Sequence, residues 1–420
     1  MVDLQNIFTD FMRTNSDAPK TGNCLNERVL IIDGLNTFIR SFLAVPTVNH
    51  NGKHVGALVG FLRSLSLAIT KFRPTRCIVA FDGLDCAYRR RQIYPAYKSE
   101  RKNKMRLNRF VPMDLVIGED KSFEEQLIRL EQYMNCLPIT AFMMNHLEAD
   151  DIIGYMTTTI FKDSPNVTIY SADKDFYQLI NNRVQVYSPT KKKLYTESTI
   201  TEELEILPKN YLTYKALTGD DSDNIKGIKG AGLKNLLKYM PELRTTYLTC
   251  SDIINIARSK QLEKKSPKLF RTIVDNEYTL LLNEELMQLH NVNITGVQTM
   301  DIHGWVEKEI SRYNPFEFKK LYNTDGLSTY NDYFLSIEDP DFSEEDLKYF
   351  IEQIVKNNKS RNTINISIIN NRFTLPPIIR DKTYADTQYC YGAQVTKTHV
   401  NKNCARIPVE PGEVGKPIIV

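Results

Sequence analysis

The sequence predicts an α/β fold built on a mostly parallel central sheet flanked by helices, and three observations carry that prediction. Three apolar runs of strand length each end in acid: Arg28–Asp33 (RVLIID), Cys77–Asp82 (CIVAFD), and Asn166–Ser171 (NVTIYS), which runs on into SADKDF with Asp173 and Asp175. Between them lie segments with helical spacing, the alternation that builds parallel sheets through crossover connections. After about residue 240 the pattern turns mainly helical. In such sheets ligands meet the carboxyl ends of the strands, which is where these acids fall.

Taken in order, residues 1–27 form an N-terminal extension, with an amphipathic helix over Leu4–Met12 and then a polar linker. Residues 28–218 form the α/β core. After the first strand, Val55–Phe72 is predicted helical, then comes the second strand. A basic segment within 84–122 follows: Tyr88–Arg109 holds nine Lys/Arg against one acid, Glu100, with Tyr88, Tyr94 and Tyr97 interleaved. Cations alternating with rings suit a single-stranded nucleic acid, whose phosphates meet charge while bases stack; the alternative is a solvated charged helix. A helix over Phe123–Met134 and an apolar stretch, Ile139–Met144, lead to HLEADDIIGYM, where Glu148, Asp150 and Asp151 open a helix. By themselves they are explained by the helix dipole. Gln185–Tyr187 and Lys193–Tyr195 form a short strand or hairpin, and Pro208–Leu217 a helix.

Gly219–Lys234, GDDSDNIKGIKGAGLK, then organises the chain. Asp220 and Asp223 stand three positions apart, so one helical turn aims both carboxylates at one point. Gly227, Gly230 and Gly232, with Lys229 and Lys234 among them, let backbone N–H groups approach a phosphate, and a helix beginning near Ala231 adds its positive end. Residues 219–335 are mainly helical, Leu280–Leu289 and Trp305–Tyr313 most clearly. Residues 336–420 form a C-terminal appendage, partly irregular, with an amphipathic helix over Glu344–Val355.

Composition narrows the function classes. The 420 residues are 42% hydrophobic, enough for a sizeable core, and the formal net charge is only +3, so local charge matters more than the sum. Seven cysteines without CxxC spacing give neither a disulfide framework nor a zinc module, and Cys390, His399 and Cys404 match no zinc template. No apolar run reaches the roughly 18 residues a membrane span needs. A cytoplasmic protein in a reducing compartment, with no membrane partner, is expected. Ser/His/Asp and Cys/His catalysis find no support, since the six histidines lie outside these motifs.

The acids collect into a set: Asp33, Asp82, Glu148, Asp150, Asp151, Asp173, Asp175, Asp220 and Asp223. The α/β reading brings all of them to one sheet edge. Each pair about 4 Å apart would repel by roughly 4 kcal/mol, so protons or cations must intervene. Oxygen-only ligands select Mg²⁺ or Mn²⁺, and two such ions would polarise a phosphodiester and activate water. Hydrolysis of a nucleic acid is the chemistry this set implies.

The ordered motifs, strand–Asp33, FDG with Asp82, YPAYKSER (Tyr94–Arg101), EADD, SADKD and GDDSDNIKGIKGAG, resemble the structure-specific 5′ nucleases. These include flap endonucleases, the 5′ nuclease domain of bacterial DNA polymerase I and the 5′→3′ exonuclease or ribonuclease H proteins of tailed phages. The resemblance spans residues 28–330 and implies a PIN-like core, with the basic segment as an arch. It implies two Mg²⁺ ions, for which Mn²⁺ substitutes. Glu148, Asp150 and Asp173 would hold the first, with Asp33 and Asp82 on its water shell; Asp175, Asp220 and Asp223 would hold the second, with Asp151 beside them. Lys98 and Arg101 would reach the scissile phosphate, and Tyr97 would stack on a base. The glycine-spaced segment would be a helix–turn–helix gripping duplex DNA, with a K⁺ ion there. DNA contacts would come from Arg89, Arg90, Arg91, Lys102, Lys104, Gly227, Lys229, Gly230, Gly232 and Lys234. The implied partners are 5′-flap, nicked or RNA-primed duplexes met by a monomer, and a clamp or single-strand-binding protein through the tail. Two further readings are a catalytically silent DNA-structure-binding protein and a PIN-type ribonuclease, which is typically shorter and lacks the glycine-spaced loop.

Overall fold

A six-stranded sheet in the order β3-β2-β1-β4-β5-β6 forms the centre of the protein in this computed structural model. Its strands are β1 (Arg28–Asp33), β2 (Arg76–Asp82), β3 (Thr140–Met144), β4 (Asn166–Tyr170), β5 (Val184–Ser188) and β6 (Lys193–Tyr195). Every neighbouring pair is parallel except β5–β6, an antiparallel hairpin. The structure describes residues 24–49, 51–99 and 118–327, together with the backbone of three strands further on. The sequence-predicted helices at Leu4–Met12 and Glu344–Val355, and residues 100–117 of the basic segment, lie outside them.

The strands are near-continuous apolar runs because helices cover both faces of a parallel sheet. In β1 all residues but Arg28 are buried, and Val29↔Arg76 and Val29↔Val167 set its register against both neighbours. The helices of the core are α1 (Gly34–Ala44), α2 (Gly56–Phe72), α3 (Tyr88–Ile93), α4 (Glu119–Asn135), α5 (Ala149–Tyr155), α6 (Glu197–Leu204) and α7 (Tyr211–Thr218). The chain adds strands outward from β1 to β2 and β3, then returns to lay β4 on the other side of β1. The β1–β4 boundary is therefore the topological switch point, where open α/β sheets leave a crevice. Asp33 closes β1 there, and Asp173 and Asp175 follow β4.

After α7 come a two-residue hairpin, β7 (Gly219–Asp220) with β8 (Ile225–Lys226), the glycine-spaced loop and α8 (Leu233–Tyr239). α8 starts two residues later than the sequence pattern suggested, with Gly232 as its N-cap. The helices that follow are α9 (Cys250–Lys260), α10 (Lys268–Asp275), α11 (Glu277–Met287), α12 (Gly296–Glu307) and α13 (Pro315–Thr324). One hydrophobic cluster runs from Val29 and Ile169 through Tyr211 and Leu236 to Ile273 and Leu280, so sheet and helical region share a core. The expected helix over Trp305–Tyr313 is instead the end of α12, which stops at Glu307. At that end Arg76 Nη1 donates to the Val306 carbonyl at 2.7 Å, satisfying one of the acceptors that a helix terminus leaves open.

The chain divides into two compact units, residues 2–48 with 53–321, and residues 1, 49–52 and 322–420. The second holds a three-stranded antiparallel sheet, β9 (Thr363–Ile369), β10 (Arg372–Thr374) and β11 (Cys404–Pro408), with β9 in the middle.

Candidate active site

β1 and β2 deliver their acids to the carboxyl edge and fix them there. Asp33 is 5% exposed; it N-caps α1 by accepting from Asn36 N at 3.2 Å, and it accepts from Ser171 Oγ at 2.7 Å. Burial pushes its carboxyl up to about 7, helped by the neighbouring charges of Asp82 and Asp173 and opposed by the two hydrogen bonds. Asp82 accepts from Ala149 N at 2.6 Å, so the end of β2 holds the first turn of α5. The FDG turn admits only glycine beside it, because a Cβ on Gly83 would stand 1.8 Å from the Met144 carbonyl oxygen.

The EADD motif then splits. Residues three apart on a helix share a face, whereas the one between is turned away by about 100° per position. Glu148 and Asp151 accordingly meet Arg90: its Nη1 donates to Glu148 Oε2 at 2.5 Å and to Asp151 Oδ2 at 2.8 Å, and its Nη2 to Asp151 Oδ1 at 2.8 Å. Asp150 faces Asp173 and Asp33, and burial followed by those charges pushes its carboxyl well above the usual range. On the β4 side Asp175 N donates to Asp173 Oδ1 at 2.9 Å, forming a tight turn. The Asp175 carboxyl rises to about 6, through burial and Asp173 against the pull of Lys215.

Asp220 and Asp223 line the same pocket but take different partners. Asp220 caps the short Asp221–Asp223 turn through Ser222 N at 2.8 Å and pairs with Lys215 Nζ at 2.7 Å, whereas Asp223 accepts from Tyr97 Oη at 3.1 Å. Lys215 also reaches Asp175 Oδ1 at 2.9 Å, which makes it a bridge between the β4 turn and the β7–β8 hairpin. Sequence reasoning missed this lysine, since only the fold of α7 brings it to acids so distant in the chain. It likewise missed Gln178, which bonds the Asp175 and Met287 carbonyls and accepts from Leu289 N.

Asp150, Asp175, Asp220 and Asp223 line one pocket with Arg90 and Tyr97. Among the described residues, however, no three acidic, histidine or cysteine side chains close on a single metal-ligating point. Cations of the chain itself account for part of this. Lys98 Nζ pairs with Glu148 Oε1 and lies 3.9 Å from Asp223 Oδ2. Arg90 and Lys98 together outweigh the burial of Glu148 and draw its carboxyl below the usual range.

Several surface roles assigned from sequence need correction. Tyr97 is 3% exposed, its hydroxyl donating to Glu148 and Asp223, so burial withholds its ring from a base in this structure. Arg90 is also 3% exposed and is taken up by carboxylates and by the Leu286 carbonyl at 2.8 Å, which closes it to DNA. Arg89 is drawn the same way, to Asp151 Oδ1 at 3.4 Å and the Asn293 carbonyl at 3.3 Å. Asp151, held by both guanidiniums and 1% exposed, is turned from the open side of the acid cluster. Arg91 is exposed, 3.7 Å from Asp85. Arg101, Lys102 and Lys104 lie outside the described residues. In the glycine-spaced loop, Gly227 answers an internal demand, since a Cβ would stand 2.0 Å from the Thr218 carbonyl oxygen. A Cβ on Gly232 would meet nothing within 4 Å, Gly230 adopts φ +88°, and Lys229 and Lys234 are exposed.

Fold and site together define an α/β protein with an acidic centre at the switch point of a parallel sheet. Residues 28–205 match the family described as 5′-3′ exonuclease, N-terminal resolvase-like domain. The 5′-3′ exonuclease of Aquifex aeolicus is 32% identical over 211 residues, covering 50% of this chain and 68% of that protein. The 5′-3′ exonuclease of Bacillus subtilis is 27% identical over 301 residues, 66% of this chain and 96% of that one. The match to Bacillus subtilis DNA polymerase I, 25% identical over 277 residues, covers 65% of this chain but only 29% of the polymerase. A solved structure of the bacteriophage T5 D15 flap endonuclease shares 21% identity at a TM-score of 0.49, over 71% of this chain and 99% of that one. The chain belongs to the 5′-3′ exonuclease family, a family of nucleases.

Proposed function

We propose that the protein is a divalent-metal-dependent, structure-specific 5′ nuclease that hydrolyses phosphodiesters at 5′ flaps, nicks or RNA-primer 5′ ends during DNA replication. One observation carries this reading: carboxylates from five separate chain segments gather at the carboxyl edge with too little positive charge. Asp33, Asp150 and Asp175 all rise in pKa, by burial first and by neighbouring acids second. An oxygen-only, charge-deficient set suits Mg²⁺ or Mn²⁺. Glu148, Asp150 and Asp173, with Asp33 and Asp82 beside them, are the residues that would hold one ion; Asp175, Asp220 and Asp223 would hold a second. Bound there, the ions would supply Lewis acidity toward the phosphodiester and lower the pKa of water.

The chain's own groups do the rest. Lys98 lies between Glu148 and Asp223 and is only partly buried, so its ammonium is placed to pass from carboxylate to an entering phosphate. Lys215 keeps Asp175 and Asp220 together. Exposed Lys229 and Lys234 flank backbone N–H groups that a duplex phosphate can approach, with K⁺ at this loop and no base readout. The reading extends to a monomer acting in the cytoplasm, with a clamp or single-strand-binding protein meeting residues 336–420. The test is direct. Labelled 5′-flap, nicked and RNA-primed duplexes are incubated with Mg²⁺ or with EDTA and the products sized; cleavage near the junction only with Mg²⁺ is expected. Inertness toward all three with either Mg²⁺ or Mn²⁺, or equal cleavage in EDTA, would sink the proposal.

A further inference from the structure

We propose that Arg90 is a positioning residue that sets the Glu148 carboxylate for the ion-binding site and never touches substrate. The proposal rests on the metal-dependent reading above. Arg90 is the most enclosed cation of the basic segment among the described residues, and its guanidinium makes four donations: one to Glu148, two to Asp151 and one, through Nε, to the Leu286 carbonyl. The bidentate fork on Asp151 fixes the plane of the guanidinium, a geometry that a lysine cannot reproduce.

The consequence falls on Glu148. It occupies the N-cap position of α5 yet makes no side-chain cap bond, so helix geometry alone leaves its carboxylate free to turn. Three groups from one stretch of chain remove that freedom: Arg90 on Oε2, Lys98 on Oε1 and Tyr97 Oη on both oxygens. Of these, Lys98 is the most solvent-accessible and Tyr97 also serves Asp223, whereas Arg90 has only buried partners. When Lys98 leaves for a phosphate, Arg90 is the group that keeps Glu148 aimed. Because Asp151 lies one turn further on the same face of α5, holding it also fixes the rotation of the helix, which leaves Asp150 turned toward Asp33 and Asp173. The Leu286 carbonyl, in the last turn of α11, ties this arrangement to the helical region.

Partners of this kind typically alter metal affinity by about 10- to 100-fold when changed. The experiment measures Mn²⁺ affinity by titration calorimetry, and 5′-flap affinity in EDTA, for wild type, Arg90→Lys, Asp151→Asn and the double variant. Arg90→Lys is expected to weaken Mn²⁺ binding about tenfold with flap affinity in EDTA unchanged, and to add little on top of Asp151→Asn, because the two act through one fork. Lys229→Ala serves as the contrasting variant, losing DNA affinity with Mn²⁺ binding intact. Arg90→Lys binding Mn²⁺ as wild type does, or losing flap affinity as Lys229→Ala does, would overturn the positioning role. So would full additivity in the double variant. Thermal unfolding separates collapse from misplacement: were Arg90→Lys unfolded, Asp151→Asn must still weaken Mn²⁺ binding for the proposal to stand. A wild-type protein that binds no Mn²⁺ would instead dispose of the metal reading itself, a result the wild-type titration gives before any variant is made.

Discussion

Most acids at the carboxyl edge fall into two groups that differ in one respect; Asp175 belongs to neither, since burial and Asp173 raise its carboxyl to about 6 although Lys215 lies 2.9 Å away. Glu148, Asp151 and Asp220 each lie against a lysine or arginine of the same chain, whereas Asp33 and Asp150 have no ion pair within 4 Å among the described residues. Their protonation follows. Glu148 and Asp220 are held below the usual carboxylate range despite burial, because Arg90, Lys98 and Lys215 outweigh it; Asp33 and Asp150 are pushed above it, because nothing does. Both groups sit within one site, so burial alone does not explain the difference. The chain's own cations neutralise Glu148 and Asp220 and leave Asp33 and Asp150 without a partner of opposite charge within 4 Å among the described residues.

That comparison breaks first on the unpaired acids. On the proposed metal-dependent reading, Asp150→Asn and Asp173→Ala are expected to lower flap cleavage by about 10³-fold or more, the several kcal/mol of transition-state stabilisation that bound metal would supply. Flap binding in EDTA should hold or tighten, since negative charge is removed. By contrast Asp220→Asn strips Lys215 of one of its two acids and should cost roughly 1–3 kcal/mol of stability in urea unfolding. Equal stability losses for Asp150→Asn and Asp220→Asn would erase the distinction between the groups.

Lys98 sharpens it next. Lys98→Ala is expected to slow single-turnover cleavage by about 10²-fold with little change in duplex affinity, the scale on which removal of one transition-state donor acts. Duplex affinity falling in step with the rate would make Lys98 an ordinary phosphate contact.

Much of this was legible in the residues. Strands that end in acid gave the sheet edge, because parallel strands must be apolar throughout and a terminal aspartate stands out against them. Chain order alone, by contrast, left Asp220 and Asp223 as one turn's pair. The fold gives them different partners, Ser222 and Lys215 for Asp220 and Tyr97 for Asp223, and neither spacing nor charge discloses such partners. Arg89 and Arg90 read as surface charge for the same reason: in a run of three arginines nothing in the sequence says which ones turn inward. The buried hydroxyl of Tyr97 finds one of its partners in Asp223, 126 residues away. Long-range polar partners are what a linear reading cannot supply.

The unpaired acids also predict a pH response. Asp33 binds its proton more tightly in the folded protein, at about 7, than an ordinary aspartate does at 3.8. Between those values the native state carries more protons than the unfolded one, so stability without metal falls as pH rises through that window. Unfolding midpoints in EDTA should therefore drop between about pH 4.5 and about pH 7 by an amount that Asp33→Asn reduces, and millimolar Mg²⁺ should restore them at the upper end. A midpoint that climbs over this range in EDTA, and climbs equally in Asp33→Asn, would contradict the charge deficit.

The glycine-spaced loop offers the smallest effect and the cleanest separation, since it holds the inverse case, a cation without an acid. Lys229 is exposed and has no acidic partner among the described residues, so its charge is available to a phosphate. Neutralising one phosphate contact lowers the salt slope of duplex binding by about one unit, and Lys229→Ala is expected to do this with the single-turnover rate at saturation unchanged. Gly232→Ala tests the backbone beside it. At Gly232 φ is −66°, an ordinary value, and a Cβ meets nothing within 4 Å, so alanine fits without strain and the unfolding midpoint should hold or rise slightly. Nothing within the described fold asks for glycine at that position. If the methyl nevertheless weakens duplex binding, what it obstructs is the close approach of DNA to the backbone; if binding is untouched, the loop does not grip phosphates and the exposed lysines act alone.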